Sequence, residues 1–141
     1  MKYPKITVTR EFSFEAAHSL KNYTGKCSNI HGHSYKCAIS VGGLLRHKPG
    51  NTPGMLLDFN HLKVIANKIK DKLDHNNLNN VCNFNTTAEN LAIEIYKVST
   101  RLLKEMIKDH EYWGLKVSNV RLWETEHSYV DYNGEEIEVN E

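Results

Sequence analysis

Two runs of period-two hydrophobicity sit on either side of a short polar gap, and they limit the folds open to this chain. In "ITVTREFSFEAAH", Ile6, Val8, Phe12, Phe14 and Ala16 occupy even positions; Tyr35, Cys37, Ile39 and Val41 then alternate at odd positions up to Gly42-Gly43. Period two reads as strand with one face buried. The 46–54 segment, "RHKPGNTPG", is turn chemistry and reads as an exposed loop. The period then lengthens. Leu62, Ile65, Ala66, Ile69 and Leu73 form the stripe of an amphipathic helix, and Leu91, Ile95, Val98, Leu102 and Met106 form a second. Thr86 and Glu89 offer a capping box ahead of that second helix. The chain returns to strand over 116–139, breaking near Glu126–Ser128, with Asn133-Gly134 a tight-turn signal. The order ββααββ predicts an α+β fold, a four-stranded antiparallel sheet with both helices on one face. Such a sheet leaves two open edges, so oligomerisation through them is expected.

Length and charge narrow the function. With 141 residues the chain suits a single domain, 1–141, and a net charge of +1 gives no basic patch for nucleic acid. No apolar run approaches the ~20 residues of a membrane span. The opening "MKYPKITVTREF" lacks the features of a signal peptide, so a cytoplasmic protein is expected. The three cysteines, Cys27, Cys37 and Cys82, have no framework spacing and suit reduced thiols.

The stretch "CSNIHGHSY" at 27–35 carries the chemistry. His31 and His33 alternate along a strand and project to one side, and Gly32 between them permits close backbone approach. His18 ends the first strand. An antiparallel hairpin with a 12-residue loop brings it opposite the start of the second. Three imidazoles on one floor match the three-ligand pattern of catalytic zinc, with one position left open. The remaining histidines at 47, 61, 110 and 127 read as solvated.

Three roles are open to Cys27: a fourth metal ligand, a base or nucleophile, or an inert thiol. It lies beside Lys26, where a cation favours the thiolate. Asp74 and His75 follow the first helix, where a carboxylate can orient an imidazole for proton transfer; the alternative is a polar helix end favoured by the dipole. Glu124 continues the apolar face of Val120 and Leu122. It is either solvated at a strand end or a buried ligand for a cationic or amide-like group.

Taken together, Phe12-Ser13-Phe14-Glu15-Ala16-Ala17-His18, Cys27-x3-His31-Gly32-His33, "LLDF" at 56–59, Asp74-His75-x2-Leu78-Asn79, "TTAEN" at 86–90 and "WET" at 123–125 resemble the 6-pyruvoyl-tetrahydropterin synthase family. They are most similar to its 6-carboxytetrahydropterin synthase branch, of the queuosine pathway. The resemblance implies the tunnelling fold, with subunits joined into an oligomeric barrel, commonly a hexamer, and active sites at the interfaces. It implies zinc on His18, His31 and His33, and Cys27 as catalytic base. Asp74 and His75 would be a proton relay across an interface, and Glu124 the pterin anchor. Thr86 and Thr87 would line the pterin pocket.

The substrate implied is 7,8-dihydroneopterin triphosphate, converted to 6-carboxy-5,6,7,8-tetrahydropterin with release of acetaldehyde and triphosphate. A three-residue gap between the cysteine and H-G-H favours this branch, because the animal enzymes typically carry a longer one. Thr86 stands where the family usually has proline. The alternatives are a 6-pyruvoyl-tetrahydropterin synthase and a non-catalytic zinc- or pterin-binding module, against which an intact Cys27, Asp74 and His75 argue.

Overall fold

A computed structural model describes residues Met1–Glu141. The two alternating runs become long strands, β1 (Lys5–His18) and β2 (His31–Leu44), paired antiparallel without interruption from Lys5↔Leu44 to His18↔His31. Their inward positions are the expected ones: Phe14 and Ala16 on β1, and Tyr35, Cys37, Ile39 and Val41 on β2, are buried. Further elements are α1 (Phe59–Leu73), β3 (Asn76–Asn77), α2 (Leu78–Val81), α3 (Ala88–Met106), β4 (Lys116–Trp123) and β5 (Tyr129–Tyr132).

The sheet has five strands, ordered β3-β1-β2-β4-β5, where alternation had indicated four. The extra strand is β3, only two residues long and parallel to β1 at Ala16 and Ala17. Two residues carry no period, so no pattern could announce it. The segment after Gly134 forms no strand, and Asn133-Gly134 ends β5 instead of turning a hairpin. Gly134 has φ +87°, and a Cβ there would collide with the Tyr96 ring, so glycine is required twice over.

α1 and α3 pack on one face of the sheet and on each other. Asp58 caps α1, accepting from the Asn60 N–H at 2.8 Å, and Leu62, Ile65, Ala66, Ile69 and Leu73 are all buried. Fully burying a Leu or Ile side chain is worth ~1.5–3 kcal/mol, so this stripe holds the helix down. In α3 the buried face is Leu91, Ala92, Ile95, Tyr96, Ser99, Leu102 and Leu103; Val98 and Met106 lie at its margin. The cap of α3 is Thr87, whose hydroxyl accepts from the Asn90 N–H at 3.2 Å, so the expected Thr86–Glu89 capping box does not form. In β4 a register shift opposite Ser40/Val41 lets Val117 and Val120 both face the core, after which Leu122 continues the alternation. Glu124 follows one residue past the end of β4.

Candidate active site

The β1–β2 register places His18 directly opposite His31, with His33 two residues further on the same side. The three rings meet edge to face, with centroids 4.7–5.1 Å apart. Beneath them lies a rigid aromatic floor: Tyr35 stacks on Phe14 at 4.9 Å and 9°, and its ring contacts both His18 and His33. Burial pushes the Tyr35 hydroxyl far above the usual phenol range, with Glu124 and Cys82 adding to the rise, so it stays protonated.

Hydrogen bonds fix the tautomers of two of these histidines. The Thr86 carbonyl lies 2.8 Å from His18 Nδ1, and the Asn29 carbonyl 2.8 Å from His31 Nδ1. A carbonyl only accepts, so each Nδ1 carries a proton, and the neutral form of such a ring presents a bare lone pair at Nε2. Those two Nε2 atoms face each other 3.1 Å apart. Two lone pairs at that distance repel unless a positive charge sits between them. His33 Nε2 is buried and has no hydrogen-bond partner. Desolvation holds the His33 pKa below its ordinary value, against the pull of the Glu124 carboxylate and with help from His18 and His31, which favours the neutral form a metal needs.

All three ligating nitrogens lie within 4.8 Å of one another. On a tetrahedral ion with bonds of ~2.0–2.1 Å they would stand about 3.4 Å apart, so the His18–His31 pair at 3.1 Å would open slightly and the wider separations would close. This donor set can hold a metal ion. Its support from backbone carbonyls is the arrangement that orients metal-bound histidine.

Glu124 stands at the mouth of this cluster, Oε1 3.8 Å from His33 Nε2 and Oε2 4.0 Å from His18 Nε2, with a side chain 31% exposed. Both distances exceed hydrogen-bond reach, so the carboxylate is close enough to feel the cluster yet free to accept from a ligand. Its backbone is fixed where β4 turns towards β5, the Glu124 N–H donating to the Ser128 carbonyl at 3.1 Å.

Thr86, fully buried, sits behind His18 with its hydroxyl 3.3 Å from Nδ1, and Thr87 is occupied in capping α3. Cys27 is half-buried in a one-turn 3-10 helix over Lys26–Ser28 and is not among the clustered ligands. Cys37 is wholly buried, and burial drives its thiol far above the usual range, which leaves it inert. Asp74 caps the end of α1, and its Oδ2 lies 3.0 Å from His75 Nδ1. His75 adopts φ +57°, the left-handed turn that brings two adjacent side chains together. The pair is anchored to β1 at Glu15, whose N–H donates to Asp74 Oδ1 at 2.8 Å while its carbonyl accepts the His75 N–H. His75 is 80% exposed and lines an open groove with Glu15, Gly32, His33 and Ser34.

A family model described as 6-pyruvoyl tetrahydropterin synthase matches residues 7–135. The chain belongs to that family. It is 34% identical to a 6-carboxy-5,6,7,8-tetrahydropterin synthase of Haemophilus influenzae, covering 89% of this chain and 96% of the relative. It is 32% identical to a 6-pyruvoyl tetrahydrobiopterin synthase of Dictyostelium discoideum, covering 92% and 97%. The solved 6-pyruvoyl tetrahydropterin synthase of Caenorhabditis elegans superimposes with a TM-score of 0.76 at 27% identity, over 96% of this chain and 99% of that one. Membership makes the chain a pterin-processing enzyme of the lyase type with a tunnelling fold. No helix is long and apolar enough to cross a membrane.

The support around the site is not legible in the sequence. Thr86 as the brace of His18 is not legible there, because its closer contact, at 2.8 Å, comes from a backbone carbonyl. Glu15 as the anchor of the Asp74–His75 turn likewise acts through its main chain.

Proposed function

We propose that this chain is a zinc-dependent 6-carboxytetrahydropterin synthase of queuosine biosynthesis. It would convert 7,8-dihydroneopterin triphosphate and water to 6-carboxy-5,6,7,8-tetrahydropterin, acetaldehyde and triphosphate. The observation that carries the reading is the pair of opposed Nε2 lone pairs on His18 and His31, completed by the orphaned Nε2 of His33, with the Glu124 carboxylate at the opening. Zinc bound there would supply Lewis-acid polarisation of the hydroxyls on the substrate side chain.

The chain's own groups do the rest. Glu124 accepts hydrogen bonds from the 2-amino group and ring N–H of the pterin, two adjacent donors matched to one carboxylate. Cys27, as thiolate, takes a proton from a side-chain carbon that bears a hydroxyl. His75, oriented by Asp74 at 3.0 Å, returns a proton to the ring, and triphosphate leaves by elimination. The strong exposure of His75 fits service to a site shared with a neighbouring subunit of a homo-oligomer, a hexamer in this reading. The enzyme works in the cytoplasm.

The 6-carboxy product is supported by the Haemophilus influenzae relative and by the three-residue gap between Cys27 and His31. A second reading, formation of a 6-pyruvoyl product, is favoured by the Dictyostelium discoideum relative, matched over 97% of its length. Mass spectrometry of the pterin formed from 7,8-dihydroneopterin triphosphate separates them, because the 6-carboxy product has lost two side-chain carbons and the 6-pyruvoyl product has lost none.

A further inference from the structure

Past His18 the chain leaves the β1–β2 ladder, yet residues 19–21 keep hydrogen bonds on both edges. On one edge the partners are asparagine side chains. The Ser19 N–H donates to Asn79 Oδ1 at 2.8 Å, and the Ser19 carbonyl accepts from Asn79 Nδ2 at 3.0 Å. Lys21 repeats the pattern with Asn85, at 3.0 Å and a looser 3.4 Å. A primary amide carries one acceptor and two donors side by side, so each asparagine stands in for a peptide unit of a missing strand. Glu15, Ser19 and Lys21 lie even numbers of residues apart, four and then two, and bond along one edge in turn to Asp74–His75, Asn79 and Asn85.

The opposite edge reaches the thiol loop. The Leu20 N–H donates to the Cys27 carbonyl at 2.9 Å. No residue of the turn bearing Cys27 is fully buried, so its place depends on hydrogen bonds such as this one. Asn79 is itself held firmly: it follows the fully buried Leu78, and its N–H donates to Asn77 Oδ1 at 3.0 Å. Asn85 is tied to the start of α3, its carbonyl accepting from the Thr87 N–H and from Asn90 Nδ2.

We propose that Asn79 and Asn85 are positioning residues for Cys27, clamping residues 19–21 so that this segment carries the thiol turn at a fixed place beside His18. The inference rests on the reading of Cys27 as the proton acceptor. Aspartate at 79 would keep the bond from the Ser19 N–H but set an oxygen against the Ser19 carbonyl. Alanine would remove both bonds.

The test measures four quantities on the zinc-loaded wild type, Asn79→Ala, Asn79→Asp and Asn85→Ala, and the kinetic constants and zinc content alone for Cys27→Ala. The four are hydrogen exchange over residues 19–30, peptide-resolved alkylation of Cys27 by iodoacetamide, kcat with KM, and zinc content. Protection of the buried Cys37 from the same reagent reports that each variant is folded. In Asn79→Ala, exchange and alkylation should rise by about tenfold, as expected for two lost hydrogen bonds, and kcat should fall while KM and zinc content hold. Asn79→Asp should lie between wild type and Asn79→Ala, and Asn85→Ala should show a smaller effect because its second bond is long. Unchanged alkylation in both alanine variants overturns the clamp. Faster alkylation with unchanged kcat overturns the positioning role. If Cys27→Ala itself keeps turnover, the premise fails and the positioning role falls with it, whereas the alkylation rates still decide whether the asparagines hold the loop.

Discussion

His18 and His31 are the last pair in the register of β1 with β2, and their Nε2 atoms face each other at 3.1 Å with both Nδ1 atoms turned to backbone carbonyls. The strand register and the tautomers thus act together to leave two lone pairs in search of a cation. The purified protein should bind one zinc per subunit. Replacing both His31 and His33 by alanine should reduce metal content, measured by mass spectrometry of the digested protein, to a trace. Stoichiometric zinc in that double variant would remove these histidines from the site.

Cys27→Ala should keep the zinc and the melting temperature, because the thiol lies outside the histidine cluster. Turnover should fall by ~10²–10⁴-fold, the usual contribution of a positioned acid or base. A parallel loss of zinc would make Cys27 a ligand instead.

Glu124→Gln preserves volume but turns one acceptor oxygen into a donor aimed at the pterin's own N–H groups. Pterin affinity should weaken by ~1.5–3 kcal/mol, the value of a charge-assisted hydrogen bond. Melting temperature should hold, since the carboxylate forms no hydrogen bond within the chain at 3.8 and 4.0 Å from its nearest neighbours. Calorimetry on one preparation reads both; intact affinity with a large thermal loss would make Glu124 structural.

Neighbouring threonines should separate cleanly. Thr87→Ala removes the cap of α3 and should cost ~1 kcal/mol of stability with little change in zinc affinity. Thr86→Val keeps the carbonyl at 2.8 Å but removes the hydroxyl at 3.3 Å from His18 Nδ1. Zinc affinity, measured by competition with a chromophoric chelator, should fall towards the lower end of the ~10–100-fold range for such support. Equal effects of the two variants on zinc would contradict the division.

The Asp74 carboxyl is held below its ordinary pKa, first by the Glu15 N–H and then by His75. A depressed carboxylate stabilises the fold above about pH 4, the unfolded value, and that stability is lost as pH falls through the folded value. Asp74→Asn should therefore melt below wild type at pH 7, and the gap should close towards pH 3. A gap independent of pH would show that the charge contributes nothing.

What the sequence disclosed follows from which groups do the work. The two strands, the α1 stripe and the facing of His18 with His31 depend on side chains that repeat at fixed periods or on one loop length, and both can be counted. The parallel β3, paired only at Ala16 and Ala17, is not legible because two residues have no period. In the sequence Thr86 reads as a cap, since Thr and Glu three apart make a familiar pattern; one position later, Thr87 and Asn90 make the actual bond. The braces of the site, from Thr86, Asn29 and Glu15, are main-chain atoms, and residue identity says little about where a carbonyl points.

The fate of two side-chain carbons distinguishes the two pterin products. Acetaldehyde and triphosphate should be counted in the same reaction of the zinc-loaded enzyme with 7,8-dihydroneopterin triphosphate. A 6-carboxytetrahydropterin synthase releases them in equal amounts, as the balanced reaction requires. Triphosphate released without acetaldehyde, with all side-chain carbons retained on the pterin, would contradict it.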